Sequence, residues 1–84
     1  MNDSTFVVYA LYSERFKKIY IGYTSNLVAR LRSHNELGTR SYTVKYRPWK
    51  VIHTELFNSK SEALKREKKL KTAAGRQFIW SLVK

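Results

Sequence analysis

Two short runs of β-branched and aromatic residues lie so close together that they constrain everything after them. Residues 6 to 12 (Phe-Val-Val-Tyr-Ala-Leu-Tyr) and 19 to 23 (Ile-Tyr-Ile-Gly-Tyr) have the composition of strands. Only the polar stretch Ser13 to Lys18 separates them. A link that short suits a hairpin, because parallel strands need a crossover of about a dozen residues or more. The chain therefore starts with antiparallel pairing, and the remaining elements must cover that ribbon.

The next segments read as helices alternating with one more strand. Thr24-Ser25-Asn26 offers side-chain acceptors for an N-cap, and Leu27, Val28, Leu31 and His34 follow at helical spacing. The spacing predicts a helix over 25–35, with Gly38 as a left-handed cap near its end. Residues 39 to 48 carry Arg40, Lys45, Arg47 and Pro48 and read as an exposed basic loop. Trp49 to Phe57 reads as a third strand, interrupted at His53 and Glu55. Asn58-Ser59 or Ser61 can cap a second helix over 60–72, which Gly75 is expected to break. Phe78, Ile79, Leu82 and Val83 then form a short C-terminal helix. The order is β-β-α-β-α-α, which makes the class α+β, with a sheet covered by helices.

Size and charge narrow the function. Eighty-four residues make a single domain, 1–84, with 43% hydrophobic content to build a core. There is no cysteine, which removes disulfides, thiolate metal sites and a cysteine nucleophile together. Seventeen Lys and Arg against six Asp and Glu leave a net charge of +11. That excess points to a polyanionic partner, nucleic acid before an anionic membrane surface. No apolar run is long enough to span a bilayer, and the first residues lack a signal-peptide pattern, so a cytoplasmic location is expected.

Some residues resist a purely structural explanation. On a helical wheel, Ala63, Leu64 and Leu70 mark the apolar stripe of the second helix, and Glu67 falls within it. A carboxylate beside a buried face needs a cation, either a lysine or arginine or a divalent metal. In the first helix Arg30 and His34 stand at i and i+4, with His34 at the border of the core beside Leu27 and Leu31. His34 can be a satisfied structural residue or can hydrogen-bond a reacting group while Arg30 holds a phosphate. Tyr9 and Tyr20 stand on the two arms of the hairpin, where they serve the sheet face or a nucleic-acid surface.

Taken together, these segments resemble the GIY-YIG nuclease superfamily, and the small stand-alone bacterial, excinuclease-like members in particular. Val7-Val8-Tyr9 and, ten residues later, Tyr20-Ile21-Gly22 resemble its paired signature. Tyr23-Thr24-Ser25-Asn26-Leu27 with Arg30-Leu31 and His34-Asn35 is similar to the next block. Thr43 to Trp49, and Ser61-Glu62-Ala63-Leu64 with Glu67 and Lys71, are similar to the third and fourth. Two departures stand out: Val7-Val8 replaces Gly-Ile, and no asparagine follows Asn58 where many members place one.

The resemblance implies a three-stranded antiparallel sheet flanked by helices and a metal-dependent phosphodiesterase acting on DNA in repair or recombination. It assigns catalytic roles to Tyr9, Tyr20, Arg30 and His34, and a single Mg²⁺ or Mn²⁺ to Glu67. Tyr9 and His34 compete for the role of general base. A free phenol is a poor base at neutral pH, so Tyr9 requires Arg30 and the metal to lower its pKa. Arg40, Lys45 and Arg47 are expected to contact nucleic acid near the site, and sequence specificity is expected to be low. A monomer is the default, with a possible protein partner. The rival reading is an inactive nucleic-acid-binding module or a partner subunit of a larger repair complex.

Overall fold

A computed structural model describes residues 5–37 and 42–83. The hairpin comprises β1 (Phe6–Ser13) and β2 (Lys18–Thr24). Helix α1 (Leu27–Arg32) runs into a π-helical turn at Ser33–Leu37. A short α2 (Tyr42–Lys45) precedes β3 (Lys50–Phe57), and α3 (Lys60–Leu70) and α4 (Ala73–Ser81) follow. The three strands form one antiparallel sheet in the order β2-β1-β3, so the first strand of the chain is the central one. The class is α+β, as the segment order implies. Among the described residues, no helix is long and apolar enough to cross a membrane.

Alternation along β1 sends its side chains to two separate layers. Val8, Ala10 and Tyr12 join Ile19 and Ile21 of β2 against Ala63, Leu70 and Ile79 of α3 and α4. Tyr9 and Leu11 face the other way and pack with Trp49, Tyr20, Leu27 and Leu31. The register shifts between Ala10, opposite His53, and Leu11, opposite Val51. Ile52 is thereby the extra residue of a bulge.

Capping side chains set the helix starts. Asn26 Oδ1 accepts the amide of Ala29 at 3.1 Å, and Ser59 Oγ accepts that of Glu62 at 3.2 Å. Gly75 corrects the sequence reading. The break between α3 and α4 falls at Lys71-Thr72, and Thr72 Oγ1 caps α4 by accepting the amide of Gly75 at 3.2 Å. Gly75 lies inside α4, where a Cβ would meet Leu70 Cα and the Lys69 carbonyl at 2.4 Å each. The glycine is there for close approach, not to stop a helix.

The expected basic loop over 39–48 is also revised. It contains α2, and its far end is anchored, because Trp49 is buried and its indole N–H donates to the Thr43 carbonyl at 2.7 Å. The expected Gly38 cap lies outside the described residues.

Candidate active site

An open cleft of about 420 Å³ runs beside β2 between α1 and α3. Its lining includes Tyr9, Tyr20, Gly22, Arg30, Lys60 and Glu67. The sheet explains how the first three meet. Tyr9 pairs with Gly22 across the β1–β2 ladder, and Tyr20 lies one residue pair along the same face, opposite Leu11. A Cβ on Gly22 would sit 2.8 Å from Tyr9 Oη and 3.2 Å from Tyr20 Cε2. The missing side chain therefore lets the Tyr9 phenol cross β2 and reach the cleft. The two rings lie 6.4 Å apart, centre to centre.

His34 completes this group from behind. Its Nε2 is 2.9 Å from Tyr9 Oη, and its ring centre is 4.9 Å from that of Tyr20. It is buried, with 7% of its surface exposed. The Cβ–ring direction is set by the π-helical turn, and that turn is fastened from the segment before β3. Arg47 Nε donates to the His34 carbonyl at 2.6 Å and Arg47 Nη2 to the Ser33 carbonyl at 3.2 Å. Asn35 accepts the Trp49 amide at 2.7 Å and donates to the Trp49 carbonyl at 3.0 Å.

Arg30 by itself does not make the Tyr9 phenol acidic. The Tyr9 hydroxyl is pushed well above the ordinary phenol range, first by burial and then by Tyr20 beside it and Glu67. Arg30 does pull in the lowering direction, but burial prevails. Tyr9 is therefore a neutral phenol in the free protein, not a standing base. His34 moves below the usual imidazole value, through burial first and then through the positive charges of Arg30 and Arg47. Neutral phenol beside neutral imidazole is an arrangement across which a proton can pass.

Arg30 is an exposed residue of α1 at the cleft, and among the described residues no carboxylate pairs with it. Glu67 enters from α3 with 15% of its side chain exposed. Its Oε2 lies 3.3 Å from Lys71 Nζ, one helical turn on, so the cation that its half-buried position demanded is a lysine in this state. Lys71 is half exposed, which leaves the pair weak and exchangeable.

The predicted nucleic-acid contacts fare differently. Arg40 lies outside the described residues. Lys45 is exposed on α2 with its ammonium 5.5 Å from the Tyr46 ring centre, and it does not line the cleft. Arg47 is half-buried and spends two of its donors on backbone carbonyls. Lys60, which the sequence reading passed over, does line the cleft. Its place seven residues before Glu67 put it on the same helical stripe and could have identified it.

Among the described residues, no three carboxylate or imidazole groups converge to hold a metal unaided. Glu67 is a single hard oxygen donor in an open, polar cleft. That donor set suits Mg²⁺ or Mn²⁺, which keep several waters and take the remaining ligands from substrate phosphate.

The GIY-YIG catalytic domain family model matches residues 5–78. A UPF0213 protein of Staphylococcus haemolyticus is 42% identical over 61 residues, 73% of this chain and 74% of that protein. A UPF0213 protein of Staphylococcus aureus is 39% identical over 70 residues, 83% of each chain. The solution NMR structure of a UPF0213 protein from Bacillus halodurans superimposes with a TM-score of 0.55 at 27% identity, covering 94% of this chain and 85% of that one.

Proposed function

The chain belongs to the GIY-YIG catalytic-domain family, and from that premise we propose that it is a metal-dependent endonuclease hydrolysing DNA phosphodiester bonds in repair or recombination. The observation that carries this reading is one convergence. Tyr9, Tyr20, Arg30 and Glu67, from two strands and two helices, line the same cleft, and His34 contacts Tyr9 from behind. The net charge of +11 supports a polyanionic substrate.

Arg30 clamps the scissile phosphate, since a planar guanidinium fork matches two phosphate oxygens. Tyr9 Oη orients the attacking water and receives its proton. As it does so, Tyr9 passes its own proton to Nε2 of the neutral His34. This relay divides the general-base role: Tyr9 touches the water, and His34 stores the proton. Tyr20 packs against His34 and holds the two rings in line. Glu67 would hold a Mg²⁺ or Mn²⁺, which when bound supplies charge neutralisation at the phosphate and leaving oxygen. Lys71 and Lys60 keep the approach to the cleft positive. Cleavage is structure-selective or non-specific, and the protein works as a monomer.

The test is a cleavage assay on end-labelled linear, nicked, flap and branched DNA with Mg²⁺, Mn²⁺ or EDTA, with Glu67→Ala run beside the wild type. Metal-dependent cleavage that disappears in the variant is expected. Salt-sensitive binding without cleavage on every substrate would replace this reading with that of a binding module. Cleavage that survives Glu67→Ala would remove Glu67 from the mechanism.

A further inference from the structure

We propose that Arg47 is a positioning residue for His34, not a nucleic-acid contact, and that it acts by fastening the π-helical turn on which the imidazole is mounted.

The local chain gives His34 little support of its own. Helix α1 has only six residues, and it ends at Arg32, two residues before the histidine. A helix that short is marginal in water without outside help. The turn that follows departs from α-helical hydrogen bonding, and such turns are frequent where a side chain must be re-aimed for function. The outside help comes from the segment leading into β3. One guanidinium donates to two successive carbonyls, Ser33 and His34, through Nη2 and Nε. Two fixed peptide planes define the Cα–Cβ direction of the residue between them, which is His34. Asn35, the next residue, grips the backbone of Trp49 through both ends of its amide. Trp49 is buried and held in turn through its indole N–H. The support therefore runs from the core through Trp49, Asn35 and Arg47 to the imidazole.

Charge adds a second effect of the same residue. The groups facing His34 are Tyr9 of β1, Tyr20 of β2, Arg30 of α1 and Arg47. Among the described residues, no carboxylate bonds to it. Burial and the two cations favour the neutral ring, the form able to accept a proton from Tyr9. A guanidinium whose Nε and Nη2 already point inward is poorly placed to form a bidentate phosphate contact.

This proposal rests on the nuclease reading for what His34 does, but not for how His34 is held. The experiment separates the two. The chain has two histidines, so ring NMR signals of His34 can be titrated with His53 as an internal reference. Wild type, Arg47→Met and Arg47→Lys are compared. Arg47→Met is expected to move the His34 midpoint upward and leave His53 unmoved. Arg47→Lys keeps the charge without the fork. It should leave the midpoint near the wild-type value while weakening the ring contacts between His34 and Tyr9. In both variants kcat for DNA cleavage should fall about 100-fold with KM unchanged, and the slope of log affinity against log salt should stay the same.

Unchanged His34 signals in both variants, with a salt slope shallower by about 0.9 in Arg47→Met, would make Arg47 a phosphate contact and overturn the proposal. If Arg47→Met does not fold, the Tyr9–His34 ring contacts in Arg47→Lys decide alone, and their persistence would overturn it. A wild type that never cleaves DNA, but whose His34 responds as described, would remove the nuclease reading and leave the positioning role standing.

Discussion

The two faces of the sheet are built from the same strand by opposite means. Behind β1, Val8, Ala10 and Tyr12 meet an apolar layer in which Ala63, Leu70 and Ile79 are buried to within 1%. In front, Tyr9 and Leu11 meet α1 and the π-helical turn, where order depends on side chains bonded to backbone: Arg47 to Ser33 and His34, Asn35 to Trp49. The rear face is held by area removed from water, which tolerates imprecise direction. The front face adds directional bonds to its own buried cluster of Tyr9, Leu11 and Trp49, and those bonds fix atoms where chemistry needs them. Stability and reactivity are thus assigned to alternate residues of one strand, and substitutions can test how cleanly they separate.

The largest effect expected is at the front. Glu67→Ala should lower cleavage on the order of 10³-fold and leave thermal stability within about 1 kcal/mol, because the Lys71 pair is half exposed. A melting shift much beyond that would mean that the carboxylate supports the fold as well. Leu70→Ala is the matching change at the rear. It should cost about 2–5 kcal/mol in chemical denaturation, with kcat unaltered wherever the protein remains folded. A selective loss of kcat would break the separation.

Gly22→Ala tests the packing of the front face itself. Its Cβ would come within 2.8 Å of Tyr9 Oη, so the phenol must turn away. A cost of about 1–3 kcal/mol and a clear loss of cleavage are expected, and a fully active variant would show that Tyr9 need not cross Gly22.

The smallest effects separate the faces by pH. His34 has a lowered pKa in the fold, so the unfolded chain binds the proton more readily. Its contribution is complete above the ordinary histidine value of about 6.5 and is lost as pH falls through the folded value. The cleavage rate should fall over the same window as the proton acceptor is consumed. At the rear edge, the Glu55 carboxyl is held below the usual range, chiefly by the Arg66 hydrogen bonds at 2.7 and 2.9 Å, with His53 adding to them. Its contribution persists above the ordinary carboxyl value of about 4.3 and is lost further into acid. Denaturation series at stepped pH should lose the first step in His34→Gln and the second in Glu55→Gln. A single merged step in either variant would mean that the faces titrate together.

Much of this was legible in the chain. The β-branched runs located β1 and β2 to within a residue or so, and the capping candidates Thr24-Ser25-Asn26 and Asn58-Ser59 or Ser61 included the two caps used, Asn26 and Ser59. Helical arithmetic found Glu67 beside a buried stripe and His34 at a core border, and both are where that arithmetic put them. What escaped depends on contacts distant in sequence. Arg47 sits in a polar stretch that reads as solvated, and only its reach across 13 residues to the His34 carbonyl turns it inward. Gly75 carries the same local signal whether it ends a helix or admits a neighbouring backbone. Tyr9 was expected to need both Arg30 and a metal to lower its pKa, and the burial that Arg30 alone does not offset is a property of the assembled sheet.

The strand order has a consequence during synthesis. β1 is made before both of its neighbours, yet it ends up between them. The hairpin can close once Thr24 has left the ribosome, but the other edge of β1 waits for Lys50–Phe57 and its apolar side waits longer, for α3 and α4. At about 5–20 residues per second, that is an interval of a few seconds. Throughout it, a two-stranded ribbon shows unpaired amides and carbonyls beside Val8 and Ala10, a template that the same ribbon on a neighbouring nascent chain can extend. The yield of folded protein should therefore be governed by how soon β3 arrives, and slowing translation between Thr24 and Lys50 should lower it without altering the activity of the molecules that do fold.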